Sequence, residues 1–231
     1  MHVKAVIFDL DGTLANFNLD YKTVRAEVKS YLVKRGVPAS ALSVKENVFE
    51  MLRKTAIFVR NSDKPQKFLE EIRSEALAMT EKYELEAAKS TSLMPGAVET
   101  LKALRQMNLK IGLCTINSEQ AVNYILNRFG IADYFDVTVP RNKVNQFKPH
   151  PEHIETALKA LGVSASDAVL VGDSDTDMQS AKELKAFAVG LPTGVSTLNQ
   201  LMRNGANYIA TSITDLPLII EKINKSSEEK E

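Results

Sequence analysis

Residues 3–14 read VKAVIFDLDGTL: an apolar, β-branched run that stops at two aspartates one residue apart, Asp9 and Asp11, followed by Gly12 and Thr13. A continuous apolar run without polar alternation marks a strand covered on both faces, as in a parallel sheet. Similar runs return at 110–114, 135–139, 168–171, 186–189 and 208–210, each bounded by polar or glycine punctuation. Helix-period segments lie between them, such as 118–129, with Val122, Ile125, Leu126 and Phe129 on one face and Gly130 as its stop. Strands alternating with helices predict an α/β fold, a doubly wound, Rossmann-like parallel sheet.

One stretch breaks that rhythm. From residue 16 to residue 90 there is no strand candidate, only three helix-period segments in succession. Val24, Val28, Tyr31 and Leu32 line the first, which Gly36 and Pro38 end. Ser43 and Glu46 have capping-box spacing ahead of the second, with Val48, Met51 and Leu52. Pro65 opens the third, which carries Phe68, Leu69, Ile72, Met79 and Tyr83 and is long enough to contain a break. The expected organisation is a catalytic core at 1–15 and 91–231 interrupted by an all-helical insertion at 16–90. The polar segment 90–96 is suited to a hinge, and the charged tail 225–231, which lacks an apolar face, is expected to fray.

Composition narrows the function classes. The 231 residues exceed a typical single domain, as a core plus an insertion would. Lys plus Arg and Asp plus Glu number 29 each, so the chain lacks the broad positive field that nucleic-acid binding needs. A single cysteine, Cys114, excludes an intramolecular disulfide and a Cys-rich zinc site, and reads as a buried strand residue. No apolar stretch approaches membrane length, so a soluble, cytoplasmic protein with neither nucleic-acid nor membrane partners is expected.

Polar residues recur where the other strands end. Thr115 follows the second strand, Lys148 precedes a proline-started helix, and Gly172, Asp173 and Asp177 follow the fourth. In an open parallel sheet this is the edge where ligands bind. Asp175, between Asp173 and Asp177, is assigned to the exposed loop, and His150 and His153 to the surface at a helix start.

Taken in order, DLDGTL at 9–14, a strand ending in Thr115, KPHP at 148–151 and GDSDTD at 172–177 resemble the four motifs of the haloacid dehalogenase superfamily, in its phosphatase branch and most like its phosphoglycolate phosphatases. The resemblance runs from residue 4 to about residue 182, and it implies that the helical insertion is a cap. It further implies a Mg²⁺-dependent phosphohydrolase acting on small phosphorylated metabolites, phosphoglycolate or a sugar phosphate foremost. Asp9 would be the nucleophile, forming an aspartyl-phosphate, and also a metal ligand with Asp173 and the backbone carbonyl of Asp11. The Asp11 side chain would act as general acid and then general base. Thr115 and Lys148 would bind the transferring phosphoryl group, and Asp177 would orient water or hold Lys148.

Asp11 also disfavours dehalogenation, since hydrolytic dehalogenases lack this second aspartate. Many relatives place Asn directly after the motif Thr or Ser, whereas here Ile116 intervenes before Asn117. A backbone contact to phosphate from Ile116 survives that change, while a side-chain role for Asn117 is left open. Arg53 and Arg60 in the insertion are candidates for reading an anionic substrate group. A phosphomutase would use the same residues and remains the alternative enzyme. A receiver-type phosphorylation switch also combines carboxylates, Thr and Lys, but carries its acceptor Asp after a later strand and spans little more than half this length. Oligomeric state and pathway are not readable from the sequence.

Overall fold

The computed structural model describes residues 2–16 and 18–228. The chain divides into two compact units, Met1–Phe17 with Thr91–Glu231, and Asn18–Ser90.

In the first unit, six strands form one parallel sheet: β1 (Ala5–Phe8), β2 (Lys110–Thr115), β3 (Val137–Pro140), β4 (Ala168–Gly172), β5 (Phe187–Gly190) and β6 (Tyr208–Ile209), in the order β3-β2-β1-β4-β5-β6. The chain winds outward from β1 through β2 to β3, then returns to the other side of β1 for β4. That reversal creates a crevice at the C-terminal ends of β1, β2 and β4. Register fixes what faces it: Phe8 pairs with both Leu113 and Val171, so Asp9 leaves the sheet abreast of Cys114 and Gly172, one residue short of Thr115 and Asp173.

Both faces of β1 are covered, as the unbroken apolar run predicts. Ile7 joins Leu170, Ile154, Leu158, Met178 and Leu201 in one core cluster, while Val6 and Phe8, the alternate positions, are also buried. Each such side chain contributes about 1.5–3 kcal/mol through its burial. The helices of this unit are α4 (Ala97–Gln106), α5 (Glu119–Arg128), α6 (Glu152–Leu161), α7 (Asp175–Leu184), α8 (Leu198–Asn204) and α9 (Leu216–Glu228).

The second unit holds α1 (Tyr21–Lys34), α2 (Val48–Arg60) and α3 (Gln66–Ser90) around a core of Val24, Val28, Leu32, Met51, Leu52, Ile72 and Ala76. Truncating a member such as Ile72 to Ala would cost about 2–5 kcal/mol. Three expectations need correction. The third helix has no break: α3 runs 25 residues with no Gly or Pro, and its buried stripe of Leu69, Ile72, Ala76, Thr80, Glu84 and Ala88 keeps helical spacing throughout. The second helix is capped by Asn47, whose side chain accepts the Glu50 N–H at 2.8 Å; Glu46 instead pairs with Lys54. In the tail, α9 continues to Glu228, beyond the point where fraying was expected; residues 229–231 lie outside the described residues. Among the described residues no helix is long and apolar enough to cross a membrane.

Candidate active site

Three carboxylates and one ammonium meet at the crevice. Lys148 Nζ lies 2.8 Å from Asp9 Oδ1 and 2.6 Å from Asp177 Oδ1, with its side chain only 4% exposed. Ligand atoms of Asp9, Asp173 and Asp177 all lie within 4.8 Å of one another. Each residue is placed by a different element. Asp9 follows β1, its N–H tied to the Val171 carbonyl at 2.9 Å; Asp173 follows β4. Asp177 sits in the first turn of α7, where it completes a capping box with Ser174. Its oxygens divide the work: Oδ2 accepts the Ser174 N–H at 3.1 Å and the Ser174 hydroxyl at 2.5 Å, while Oδ1 accepts from Lys148.

Charge is left over in this cluster. Burial pushes the Asp9 carboxyl up; Asp177 adds to the rise, and Lys148 only partly reverses it. Burial also raises Asp173, with Asp9 and Asp177 adding repulsion and the Val195 N–H and Lys148 opposing it. For Lys148, burial disfavours the ammonium, but attraction to Asp177 and Asp9 outweighs it and the net shift is upward. One cation thus faces three carboxylates in a poorly solvated place. A hard divalent ion fits this donor set: all oxygen, closely spaced and short of positive charge.

Lys148 itself is held by a residue the sequence reading put on the surface. His153, in α6, is fully buried. Its Nδ1 accepts the Lys148 backbone N–H at 3.4 Å, which leaves Nε2 to donate to the Val139 carbonyl at 2.7 Å. Burial, reinforced by the Lys148 charge, pushes its pKa down to about 4, so the ring is neutral at physiological pH. His150 is exposed, as expected, with its Nδ1 accepting the Glu152 N–H at 3.2 Å. Cys114 is buried, its thiol pushed up to about 12 chiefly by desolvation, so it is inert at neutral pH.

The turn after β2 adds polar groups. Thr115 is buried, and its Oγ1 accepts the Asn117 N–H at 3.3 Å. Asn117 resolves the open question about its side chain: Nδ2 donates to Asp11 Oδ2 at 2.8 Å. The intervening Ile116 points outward, with its carbonyl accepting from Arg141 Nη1 at 2.9 Å. With Ile116 between it and Thr115, the Asn117 side chain meets the second aspartate. Asp175 is not a simple exposed loop residue: it is half-buried at the start of α7 and bonded to Ser196.

The two arginines of the helical unit differ. Arg53 is exposed and pairs with Glu50 on its own helix at 2.6 Å, while Arg60, at the end of α2, is exposed without an ion-pair partner among the described residues. The sequence reading did not anticipate the brace by His153 or the loop after β5 that reaches Asp173. His153 shares the apolar stripe of α6 with Ile154, Ala157, Leu158 and Leu161, a helical spacing that signals its burial, whereas PTGVS at 192–196 looks like an ordinary turn.

The family model described as haloacid dehalogenase-like hydrolase matches residues 3–185. The chain is 26% identical over 231 residues to a phosphoglycolate phosphatase of Neisseria meningitidis, covering 100% of this chain and 97% of the relative. It is also 26% identical over 226 residues to a pyrophosphatase PpaX of Halalkalibacterium halodurans, covering 94% and 96%. Among solved structures, a β-phosphoglucomutase from Clostridium difficile superposes with a TM-score of 0.67 at 22% identity, covering 97% of this chain and 98% of the other, which shows a shared fold.

Proposed function

Since the chain belongs to the haloacid dehalogenase-like hydrolase family, we propose that it is a Mg²⁺-dependent phosphohydrolase that cleaves small phosphate monoesters through an aspartyl-phosphate on Asp9. The observation that carries this is the placement of Lys148 between Asp9 and Asp177, with Asp173 beside them, at the switch point of the sheet. A phosphate dianion repels an anionic nucleophile, so a carboxylate can attack phosphorus only where cations offset the charge and hold the in-line geometry.

Asp9, Asp173 and the Asp11 carbonyl would hold the metal. Both oxygens of Asp177 are engaged, which suits it to fixing Lys148. When bound, the ion supplies charge neutralisation and helps orient the phosphoryl group. The protein's own residues do the rest. An Asp9 oxygen attacks phosphorus as the ester P–O bond breaks, and the Asp11 carboxyl gives its proton to the leaving alkoxide. Water then attacks the acyl-phosphate while Asp11 takes a proton from it, restoring Asp9. The Asn117 amide orients Asp11 for both transfers. Thr115 uses its oxygen to accept the Asn117 N–H, so its O–H proton is available to a phosphoryl oxygen. The Lys148 ammonium stabilises charge on the equatorial oxygens.

The helical unit, inserted between the first and second motifs with a core of its own, is assigned the role of a cap that restricts access to small substrates. Arg60, which has no ion-pair partner among the described residues, suits the reading of a substrate anion better than Arg53, which carries its own carboxylate. The relatives' names put phosphoglycolate first among candidate substrates and add pyrophosphate. Sugar phosphates and the mutase reaction complete the set, and a need for a bisphosphate primer would identify a mutase. The test is phosphate release from a panel of phosphorylated metabolites and one phosphorylated protein, with Mg²⁺. Release from small monoesters alone is expected. Release from none of them, or efficient release from the protein, would refute the proposal.

A further inference from the structure

The stretch between β5 and α8 comes from a strand that none of the four motifs uses, yet it is bonded to two of the acidic loops. The Val195 N–H donates to Asp173 Oδ2 at 2.7 Å, and the Ser196 N–H donates to the Asp173 carbonyl at 3.2 Å. The Ser196 hydroxyl donates to Asp175 Oδ1 at 2.8 Å and accepts the Asp175 N–H at 3.1 Å. On the other side, the Thr193 hydroxyl donates to the Gly12 carbonyl at 2.5 Å. The loop therefore ties the turn after β1, which follows Asp9 and Asp11, to the turn after β4, which carries Asp173.

The approach leaves no space for a side chain. A Cβ at Gly194 would overlap Oδ2 and Cγ of Asp173 and stand 3.0 Å from the Gly12 Cα. The reverse holds at Gly12, where a Cβ would lie 2.6 Å from Asp173 Oδ2 and 2.9 Å from the Gly194 Cα. The two glycines have different reasons to be glycine. Gly12 also has φ +75°, a conformation that side chains resist, whereas Gly194 is not among the residues with positive φ. At Gly194 the demand is the close approach of the Asp173 carboxylate, with the Gly12 backbone next nearest. Of that carboxylate, Oδ2 is held by the Val195 amide, while Oδ1 has no hydrogen-bond partner among the described residues.

We propose that Gly194, the Val195 amide and the Thr193 hydroxyl are positioning groups for Asp173, fixing one carboxylate oxygen so that the other is presented to a divalent cation. The inference rests on the metal-dependent reading above and deepens it. A carboxylate that rotates freely loses orientational freedom when it takes a hard cation; one already held by a backbone amide has less to lose. Outer groups that orient metal ligands in this way typically govern about 10–100-fold in metal affinity.

The test is Mn²⁺ binding to the full chain, followed by the EPR signal of free Mn²⁺, in wild type, Gly194→Ala, Thr193→Val and Thr193→Ser. Circular dichroism checks folding, and the Mg²⁺ concentration for half-maximal phosphate release is measured beside it. Gly194→Ala, which displaces the carboxylate, should weaken Mn²⁺ binding about tenfold or more and raise the half-maximal Mg²⁺ by a similar factor. Saturating metal should restore much of kcat. Thr193→Val removes only the tie to Gly12 and should weaken binding about threefold, a smaller share of the same effect. Thr193→Ser keeps the hydroxyl and should match wild type. Thr193→Val is read in the same way if Gly194→Ala does not fold. Mn²⁺ affinity within twofold of wild type in both folded variants, or in Thr193→Val if it alone folds, would overturn the proposal, as would a wild type that binds no Mn²⁺. A wild type that releases no phosphate, while Gly194→Ala loses Mn²⁺ affinity, would refute the phosphohydrolase reading and support the positioning role.

Discussion

Replacing Lys148 with Met keeps an unbranched side chain one atom shorter and removes the charge from between two carboxylates. The ammonium is 2.8 Å from Asp9 and 2.6 Å from Asp177, and the side chains of the three are 4%, 11% and 5% exposed. Removing one partner of a buried ion pair costs about 3–5 kcal/mol, because the remaining charge stays desolvated. The variant also leaves Asp9, Asp173 and Asp177 facing one another within 4.8 Å, where each unrelieved pair repels by roughly 3.5 kcal/mol or more at an effective dielectric constant of about 20. Proton uptake relieves part of this, so a net loss of about 4 kcal/mol is expected. With a urea m-value of about 2 kcal/mol per molar, the midpoint should fall by about 2 M. Lys148 lowers the Asp9 and Asp173 carboxyls in the wild type, so the folded variant holds their protons more tightly than folded wild type does and gains more stability as pH falls. The deficit should therefore narrow between about pH 8 and pH 5. In an Asp177→Asn background the Lys148→Met cost should shrink by about 1–3 kcal/mol. Urea unfolding without divalent metal measures all three quantities. A loss below about 1 kcal/mol, or a deficit that does not change with pH, would refute this account of the cluster.

Three further outcomes are expected. Asp11→Asn should collapse turnover of esters with poor leaving groups while good leaving groups still phosphorylate Asp9, a contrast visible in pre-steady-state phosphate and alcohol release; wild-type rates on poor leaving groups would remove Asp11 from acid–base chemistry. Chelation should silence the enzyme and Mg²⁺ restore it, Ca²⁺ should inhibit because its coordination is looser, and Asp173→Ala should raise the metal requirement; full activity in excess chelator would contradict the site. His153 has its pKa lowered from 6.5 to about 4, so its contribution is present above about pH 6.5 and lost as pH falls toward about 4, at most about 3 kcal/mol at 1.36 kcal/mol per unit. His153→Gln should lose that part of the acid dependence in urea midpoints, and an unchanged pH slope would show that the buried ring is not its source.

The strands were legible because each is a short apolar run with punctuation, and buried parallel strands need no finer pattern than that. Their limits shifted by a few residues: the expected third strand began at 135, but Ala132–Tyr134 form a 3₁₀ turn and β3 starts at Val137. Asp9, Asp11 and Asp173 drew attention because charged residues at strand ends contrast with the apolar runs before them, whereas Lys148, beyond the polar stretch that follows β3, was legible only through its KPHP motif. The supports of the site were hidden for the opposite reason. Gly194 matters for what it lacks, and Val195 acts through a backbone amide that every non-proline residue has. His153 is different, because its spacing to Ala157 and Leu161 places it on the apolar face of α6, although the partners of its ring are not readable from that spacing. Asn117 was displaced by one residue from its familiar place, and only the bend at Ile116 shows that it meets Asp11.

The central claim is that Asp9 accepts the phosphoryl group. Rapid quenching in acid of the enzyme mixed with a turned-over monoester and Mg²⁺, followed by peptide mass spectrometry, tests it most directly. The expected result is a hydroxylamine-labile phosphoryl group on the peptide containing Asp9, absent in Asp9→Asn, which should also release no phosphate. A phosphoryl group on another residue, or turnover that persists in Asp9→Asn, would contradict the account.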